Sequence, residues 1–351
     1  MRQEPMVPDI RRLPLDDPDK AAQWDAFVTA CPQATFFHRA GWQRILRQVF
    51  RHETHFLYAE AEGRIEGVLA LARVRSLLFG HSLVSLPFAV YGGVAADNPQ
   101  AADALERAAQ ELAQRLGVAH LELRNVAQRH ADWPLQDLYV TFRKPILPDE
   151  EANLLAIPRK QRAMVRKGIA KGLRSELDTG VDRFFALYAD NVHRHGTPGL
   201  PKRYFEALRR EFGTLCDVQT VTGADGQPLS SVLSFYFRDE VLPYYAGDDA
   251  AARELAANDF KYWELMRRAC QSGLKVFDFG RSKRGSGSYA FKKNWGFEPQ
   301  PLHYEYCLYK RDAVPQNNPA NAKYRLLIEA WRRMPISIAN WLGPIVARNL
   351  G

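Results

Sequence analysis

With 351 residues the chain is about twice the size of an ordinary domain, so two domains or one large one are expected. A composition of 46% hydrophobic and 25% charged residues excludes disordered, collagen-like and disulfide-dense chains. Forty-eight Lys and Arg against 40 Asp and Glu leave a net charge of +8, which directs attention to an anionic partner without naming one.

The first residues, MRQEPMVPDIRRLPLDDPDK, are partly basic but contain no apolar stretch, so no secretory signal is expected. ATFFHRAGWQRIL then reads as an aromatic helix after a turn, and HFLYAEAEGRIEGVLALARV as a hairpin turning at Glu62-Gly63. Ser76 to Ala96 carries no Asp, Glu, Lys or Arg and is nearly long enough to span a bilayer. Gly80, His81, Pro87, Gly92 and Gly93 interrupt it, however, and SLPFAVYGGV reads as a buried strand ending in a glycine turn. PQAADALERAAQELAQRLG is a helix closed by Gly117, and AHLELRNV a short strand.

The same order returns in the second half. GTPGLPKRYFEAL reads as an opening helix, CDVQTVTGADGQPLSSVLSFYF as a hairpin at Asp225-Gly226, and EVLPYYAGDD as a strand. ANDFKYWELMRRACQSG is a helix closed by Gly273, followed by the strand KVFDFGRS. Gly63 and Gly226 are 163 positions apart, Trp42 and Phe205 also 163, and Gly117 and Gly273 156, so the chain reads as two copies of one α/β unit. Two unrelated α/β domains are the alternative.

Between the copies, a helix over 157–174 carries Arg159, Lys160, Arg162, Arg166, Lys167, Lys171 and Arg174, with no acid between Arg159 and Arg174. Surface helices ordinarily interleave Glu with Lys, so this one is as well suited to phosphate as to plain solvation. Lys160, Arg162, Arg166 and Lys167 are its candidate phosphate or RNA contacts. After KVFDFGRS, the segment KRGSGSYAFKKNWGF gathers cations around glycines and serines and reads as a flexible loop closing on an anion. Its Gly285-x-Gly287-x-x-Ala290 pattern imitates a dinucleotide fingerprint, but the spacing from the strand is wrong and no second βαβ half follows. Lys292 and Lys293 are expected to point to different sides of a short helix. A final strand, PLHYEYCLYK, closes the second half.

The tail from Pro315 is apolar and aromatic with several arginines; it reads as a closing helix on the first domain or an interfacial helix on an anionic membrane. Cys31, Cys216, Cys270 and Cys307 are scattered without zinc spacing and read as buried, reduced thiols in a cytoplasmic protein; neither metal nor cofactor is expected. No P-loop, H-E-x-x-H, EF-hand or G-x-S-x-G motif occurs.

The order hairpin, strand, helix, strand, short helix, final strand resembles the GNAT acyltransferase core. Two such cores in tandem, with FDFGRSKRGSGSYAFKKNWGF late in the second, resemble the FemAB-like aminoacyl (peptidyl) transferases. FFHRAGWQRIL, PRKQRAMVRKGIAKG, GTPGLPKRYFEAL and YYAGDD extend the resemblance over nearly the whole chain, and with the tail it is also similar to members accompanying exosortase/PEP-CTERM exopolysaccharide systems. The fold class implied is α/β (α+β), with mixed sheets: a first GNAT-like domain over 1–150, a second over 151–312, and a helical tail over 313–351.

The activity implied is transfer of an aminoacyl group from aminoacyl-tRNA, or another activated acyl donor, to an amine of an anionic cell-envelope or saccharide precursor. The setting implied is a cytoplasmic monomer, peripheral at the inner face of the membrane. Lys292 corresponds to the motif lysine that faces the reaction centre. Tyr244, Tyr245 and Asp248 end the strand that splays open for the acyl donor; Asp248 would orient or deprotonate the amine and a tyrosine would donate a hydrogen bond. His38, Arg39, Lys202 and Arg203 match acceptor-gripping stretches, and Arg281, Lys283, Arg284 and Tyr289 line the cationic segment. A donor of the acyl-CoA type needs a glycine-rich pyrophosphate turn after the fourth strand, where this sequence reads DDAARELAAND in the second half and AADNPQAAD in the first. The alternatives are a GNAT-type N-acyltransferase using acyl-CoA or acyl carrier protein, and a non-catalytic RNA- or membrane-binding scaffold. The coiled-coil arm of some cell-wall members is absent, so peptidoglycan cross-bridge building is not implied.

Overall fold

The computed structural model describes residues 8–76, 80–315 and 322–348. The chain begins with β1 (Asp9–Arg12) and α1 (Pro18–Ala30). Helix α1 starts where Asp17 accepts from the Lys20 amide at 2.8 Å and Pro18 fills a position whose N–H has no helical partner. After a 3-10 turn come α2 (Gly41–Phe50), β2 (Glu53–Ala61) and β3 (Arg64–Ser76); Glu62 and Gly63 both take positive φ, the turn that suits a tight hairpin. Next are β4 (Gly80–Ser85), β5 (Ala95–Ala96), α3 (Pro99–Arg115), β6 (His120–Asn125) and β7 (Leu135–Gln136).

The chain continues through β8 (Tyr139–Pro145), α4 (Glu150–Ala156), α5 (Arg159–Ala170), β9 (Arg174–Leu177), α6 (Asp182–Arg194) and α7 (Lys202–Phe212). It then builds β10 (Cys216–Thr222), β11 (Pro228–Phe237), β12 (Glu240–Asp248), α8 (Ala257–Gln271), β13 (Val276–Asp278) and β14 (Ser282–Lys283). Last come α9 (Gly287–Asn294), β15 (Pro299–Pro301), β16 (His303–Leu308), α10 (Ala322–Arg333) and α11 (Ile336–Ala347).

These elements form two mixed eight-stranded sheets. One runs β1-β2-β3-β4-β6-β16-β7 with β5 on β3; the other runs β14-β8-β13-β12-β11-β10-β9 with β15 on β8. The orders match strand for strand, β1-β2-β3-β4-β6-β16 against β9-β10-β11-β12-β13-β8, with one parallel pair in each sheet, β4–β6 and β12–β13. Gly117 and Gly273 both turn with positive φ after the matching helices α3 and α8, as the duplication requires. The two closing strands are exchanged between the halves: β8 joins the second sheet and β16 the first.

Residues up to Asp137, with the stretch from Leu302, therefore make one compact unit, and Leu138–Pro301 with the C-terminal helices make the other. The boundary expected at residue 150 moves to 138, and the strand PLHYEYCLYK leaves the second domain for the first. The tail expectation is likewise corrected: α10 and α11 pack on α6 of the second unit, with His193 Nε2 at 2.8 Å from the Met334 carbonyl. In the apolar stretch before α3, Gly80–Ser85 and the two-residue β5 pair as strands; Leu86 and Phe88 take positive φ and break the expected SLPFAVYGGV strand, while residues 77–79 lie outside the described residues. No helix among the described residues is long and apolar enough to cross a membrane. Cys31 and Cys216 are buried, but Cys270 and Cys307 are only half-buried; all four are free.

Each unit has its own core. In the first, Ala101, Leu105, Ala109 and Leu112 of α3 cover Leu69, Leu71, Leu83, Leu121 and Leu123 of the sheet. In the second, Trp263, Met266 and Ala269 of α8 join Val232, Val241, Phe277, Phe142 and Trp295. Each large apolar side chain so buried contributes about 1.5–3 kcal/mol.

Candidate active site

Strand β12 is paired along its length with β11, but its ladder slips between Leu233 and Ser234, where Tyr244 is the extra residue. Pro243, which has no N–H to donate, faces Ser234 at this slip. On its other side β12 pairs with β13 only at Glu240–Val276 and Val241–Phe277. Beyond these two positions the strands part, and the backbone of β12 from Leu242 onward has no strand neighbour on that edge among the described residues. This is the splay expected of the donor strand. Its far end is held by α6, because Gly247 lies so close that an added Cβ would stand 2.3 Å from the Tyr188 nitrogen.

Tyr245 points into an aromatic nest, with its ring 5.3 Å from Phe205 and 5.8 Å from Tyr204. The Tyr245 and Tyr204 hydroxyls share a hydrogen bond of 2.9 Å. Burial raises the pKa of both, and pushes Tyr188 behind them up to about 12, so the three are neutral hydroxyl groups at ordinary pH, suited to donate rather than to act as bases. Lys202 and Arg203, just before Phe205, open α7; Lys202 pairs with Asp182 at 2.5 Å and reaches Glu206 at 3.7 Å, and Arg203 is exposed.

At the end of β12, Asp248 Oδ1 accepts from the ammonium of Lys261 at 2.8 Å and from the Ser230 hydroxyl. Lys261 has no solvent exposure, and Asp248 is its charge partner. The Asp248 side chain itself is 28% exposed. Lys261, Ser230, Tyr204 and Tyr188 are site residues that the sequence reading missed. The one available signal was Lys261, a lone lysine between apolar residues in DFKYWELM.

Tyr262 of the same helix carries the arrangement across: Lys261 Nζ lies 4.8 Å from its ring centroid, and the ring meets Phe279 at 4.8 Å. Phe279 begins the segment that Lys292 ties down. Lys292 Nζ donates to the carbonyls of Phe279 at 2.7 Å, Gly280 at 3.1 Å and Arg281 at 3.1 Å, and is nearly enclosed by protein. Its three donors are thus taken by backbone, so Lys292 cross-ties this turn rather than presenting an open ammonium. Burial lowers its pKa to about 7, with nearby Asp278 opposing and Arg281 adding to the shift. Asp278 itself bonds to the Gly280 amide at 2.7 Å and lies 3.4 Å from Arg143.

Around the turn, Arg281 stacks 4.4 Å over Tyr139 and Tyr289 meets Phe142 at 5.5 Å. Lys283 is half-buried in β14, opposite Tyr139, and the exposed Arg284 donates its amide to Leu138. The segment read as a flexible loop is therefore pinned: β14 pairs with β8, and Ser286 caps α9 by accepting from Tyr289. Lys293 faces outward as expected.

Helix α5 turns Gln161, Val165 and Gly168 inward, with Gly168 against Phe260 of α8. Lys160, Arg166 and Lys167 are exposed and Arg162 half-exposed, bonded to the Leu155 carbonyl at 3.3 Å; none of the four forms an ion pair among the described residues.

The first unit treats its corresponding splay differently. Strands β4 and β6 pair from Ser82 to Val84, and the chain then folds back so that the Gly92 and Gly93 amides donate to the Arg124 carbonyl at 3.2 and 3.0 Å. The Arg124 guanidinium donates in turn to the carbonyls of Leu86 and Ala89. That opening is filled by its own backbone. His38 serves the same packing: Nδ1 accepts from the Thr35 amide at 3.0 Å, which leaves Nε2–H to donate to the Gly93 carbonyl at 2.8 Å. Arg39 pairs with Asp25 at 2.9 Å. Both residues thus have structural partners within the first unit.

Residues 159–293 match the family model described as an acetyltransferase (GNAT) domain. No curated protein matches the sequence. Among solved structures, FemX superposes with a TM-score of 0.65 at 15% identity, covering 86% of this chain and 98% of that one. The C-terminal domain of a putative lysylphosphatidylglycerol synthetase from Agrobacterium fabrum gives 0.58 at 13% identity, covering 88% and 95%. A tandem GNAT protein from the clavulanic acid biosynthesis pathway gives 0.56 at 13%, covering 87% and 99%. The chain thus contains a GNAT domain, which includes the open splay of the second unit, and its fold as a whole is similar to the FemX and tandem GNAT structures.

Proposed function

We propose that the protein transfers an aminoacyl group from aminoacyl-tRNA to an amine of an anionic cell-envelope or exopolysaccharide precursor, with the chemistry at the β12–β13 splay. The observation that carries this reading is the turn after β12. A CoA pyrophosphate would need free amides there, yet Asp249 caps the Ala251 amide with its own carboxylate at 2.8 Å, and Asp248 stands beside it. Two carboxylates at that place repel a pyrophosphate, which favours a donor held elsewhere. The unpaired cations of α5 supply a surface for a polyanion such as tRNA.

In the reaction, the acceptor amine attacks the ester carbonyl of the donor, so that a C–N bond forms and the ester C–O bond breaks. Asp248 takes a proton from the attacking nitrogen, and that proton leaves on the departing ribose oxygen. The oxygen of the tetrahedral intermediate accepts from Tyr245, whose hydroxyl is kept protonated by its buried setting. Lys292 is a positioning residue: it holds the turn from Phe279 to Arg281, and Arg281 can then meet a phosphate of the acceptor.

The test is to incubate the purified protein with an unlabelled envelope extract and, in separate arms, charged tRNA, acyl-CoA or acyl carrier protein carrying a labelled acyl group, or no donor. Label passing to a saccharide or lipid fraction only with charged tRNA supports the proposal. Transfer from acyl-CoA alone overturns it in favour of the second enzyme reading.

A further inference from the structure

The C-terminal helix α11 is built inside out for a water-soluble surface. At about 100° per residue, Ala339, Gly343 and Ala347 fall on one face and Ile338, Trp341 and Ile345 on the opposite one. The small residues are the buried ones: an added Cβ at Gly343 would stand 2.9 Å from the Gly199 carbonyl, so the helix meets the second unit through backbone contact. The large apolar residues face outward, with Trp341 70% exposed, Ile345 52% and Ile338 45%. Ile336 at the start of the helix adds to the patch, and α11 contains no charged residue.

The surroundings of this patch are cationic. Residues 322–348 hold five Lys and Arg against the single acid Glu329, and Arg332 and Arg333, exposed at the end of α10, stand just before the helix. We infer that α11 is a docking helix for an anionic phospholipid surface, on which it lies flat with Ile338, Trp341 and Ile345 among the acyl chains and Arg332 and Arg333 at the headgroup phosphates. At 12 residues it is too short to span a bilayer but suited to lie in the interface, where an indole ring is well placed between apolar and wet layers. A second copy of the chain fits less well, because a two-fold contact through this face would bring Arg332 and Arg333 near their own copies. The inference is independent of the acyl donor.

The experiment is flotation of the full-length protein with vesicles of phosphatidylcholine alone or mixed with phosphatidylglycerol, at low and high salt, with the tryptophan emission recorded. Binding to the mixed vesicles, weaker at high salt and accompanied by a blue shift, is expected. The triple variant Ile338→Ser, Trp341→Ser, Ile345→Ser should lower the bound fraction about tenfold or more, and the charge reversals Arg332→Glu and Arg333→Glu should remove the preference for phosphatidylglycerol. No flotation with either vesicle, equal flotation with both, or a concentration-dependent dimer that the triple variant abolishes would each overturn the inference.

Discussion

Replacing Lys292 by methionine keeps the stem and removes the charge. In the native protein the ammonium has exchanged water for three carbonyls, at 2.7, 3.1 and 3.1 Å. Burial lowers its pKa from the ordinary 10.5 to about 7. Between those values the unfolded chain holds a proton that the folded one has shed, so the native protein gains stability as pH rises through that window; below about 7 both states are protonated and the dependence stops. Integrated over the window, the gain is about 4 kcal/mol, roughly half of it between pH 7 and 9. The methionine variant lacks this titration. Urea unfolding of both proteins across the window, with the other ionisable groups cancelling in the difference, should therefore show native stability growing relative to the variant as pH rises. The three carbonyls favour the charged form and oppose the shift. A difference that stays flat would mean that they outweigh the lost hydration, and would refute the lowered pKa. In the acyl-transfer assay the same variant should lose about a hundredfold in turnover, because the Phe279–Arg281 turn is no longer held.

Asp248→Asn should reduce turnover of the folded protein by about a hundredfold or more as the amine loses its proton acceptor, and should also lower the thermal unfolding temperature, because the buried Lys261 ammonium loses its charge partner. Tyr245→Phe removes one hydroxyl from the tyrosine pair and should cost about ten- to a hundredfold in kcat with a smaller change in KM, read by steady-state kinetics. Arg162→Ala with Arg166→Ala should weaken tRNA binding more at low than at high salt, as filter binding would show; equal loss at both would place the contact elsewhere.

The duplication was legible because turns are written in local chemistry: Glu62-Gly63, Asp225-Gly226, Gly117 and Gly273 each mark a place where the chain must reverse. The splay of β12 could be expected from the family resemblance and the YYAGD stretch. The strand exchange could not. PLHYEYCLYK reads as a strand, but nothing in its period says which edge will receive it, since pairing is decided by contacts far along the chain, and YVTFRKP, the other exchanged strand, was not singled out. Lys261 was missed for a related reason. A lysine in a helix is ordinarily solvated, and its burial against Asp248 depends on where β12 ends. Lys292 was found by resemblance, but its three carbonyl partners belong to a turn whose shape the sequence does not specify.

The position of β16 sets a schedule for synthesis. It lies between β6 and β7, so the first sheet has a vacant place in its interior until residues 303–308 have left the ribosome. By then the whole of Leu138–Pro301 has been made, and β8, supplied early, is already available to the second sheet. The N-terminal unit, though first to emerge, thus cannot close its sheet until every strand of the second sheet has been made, and until then β6 offers an unpaired edge to neighbouring chains. A protein cut after Asp137 would retain that open edge permanently, which makes aggregation, rather than an isolated folded half, the expected fate of the fragment.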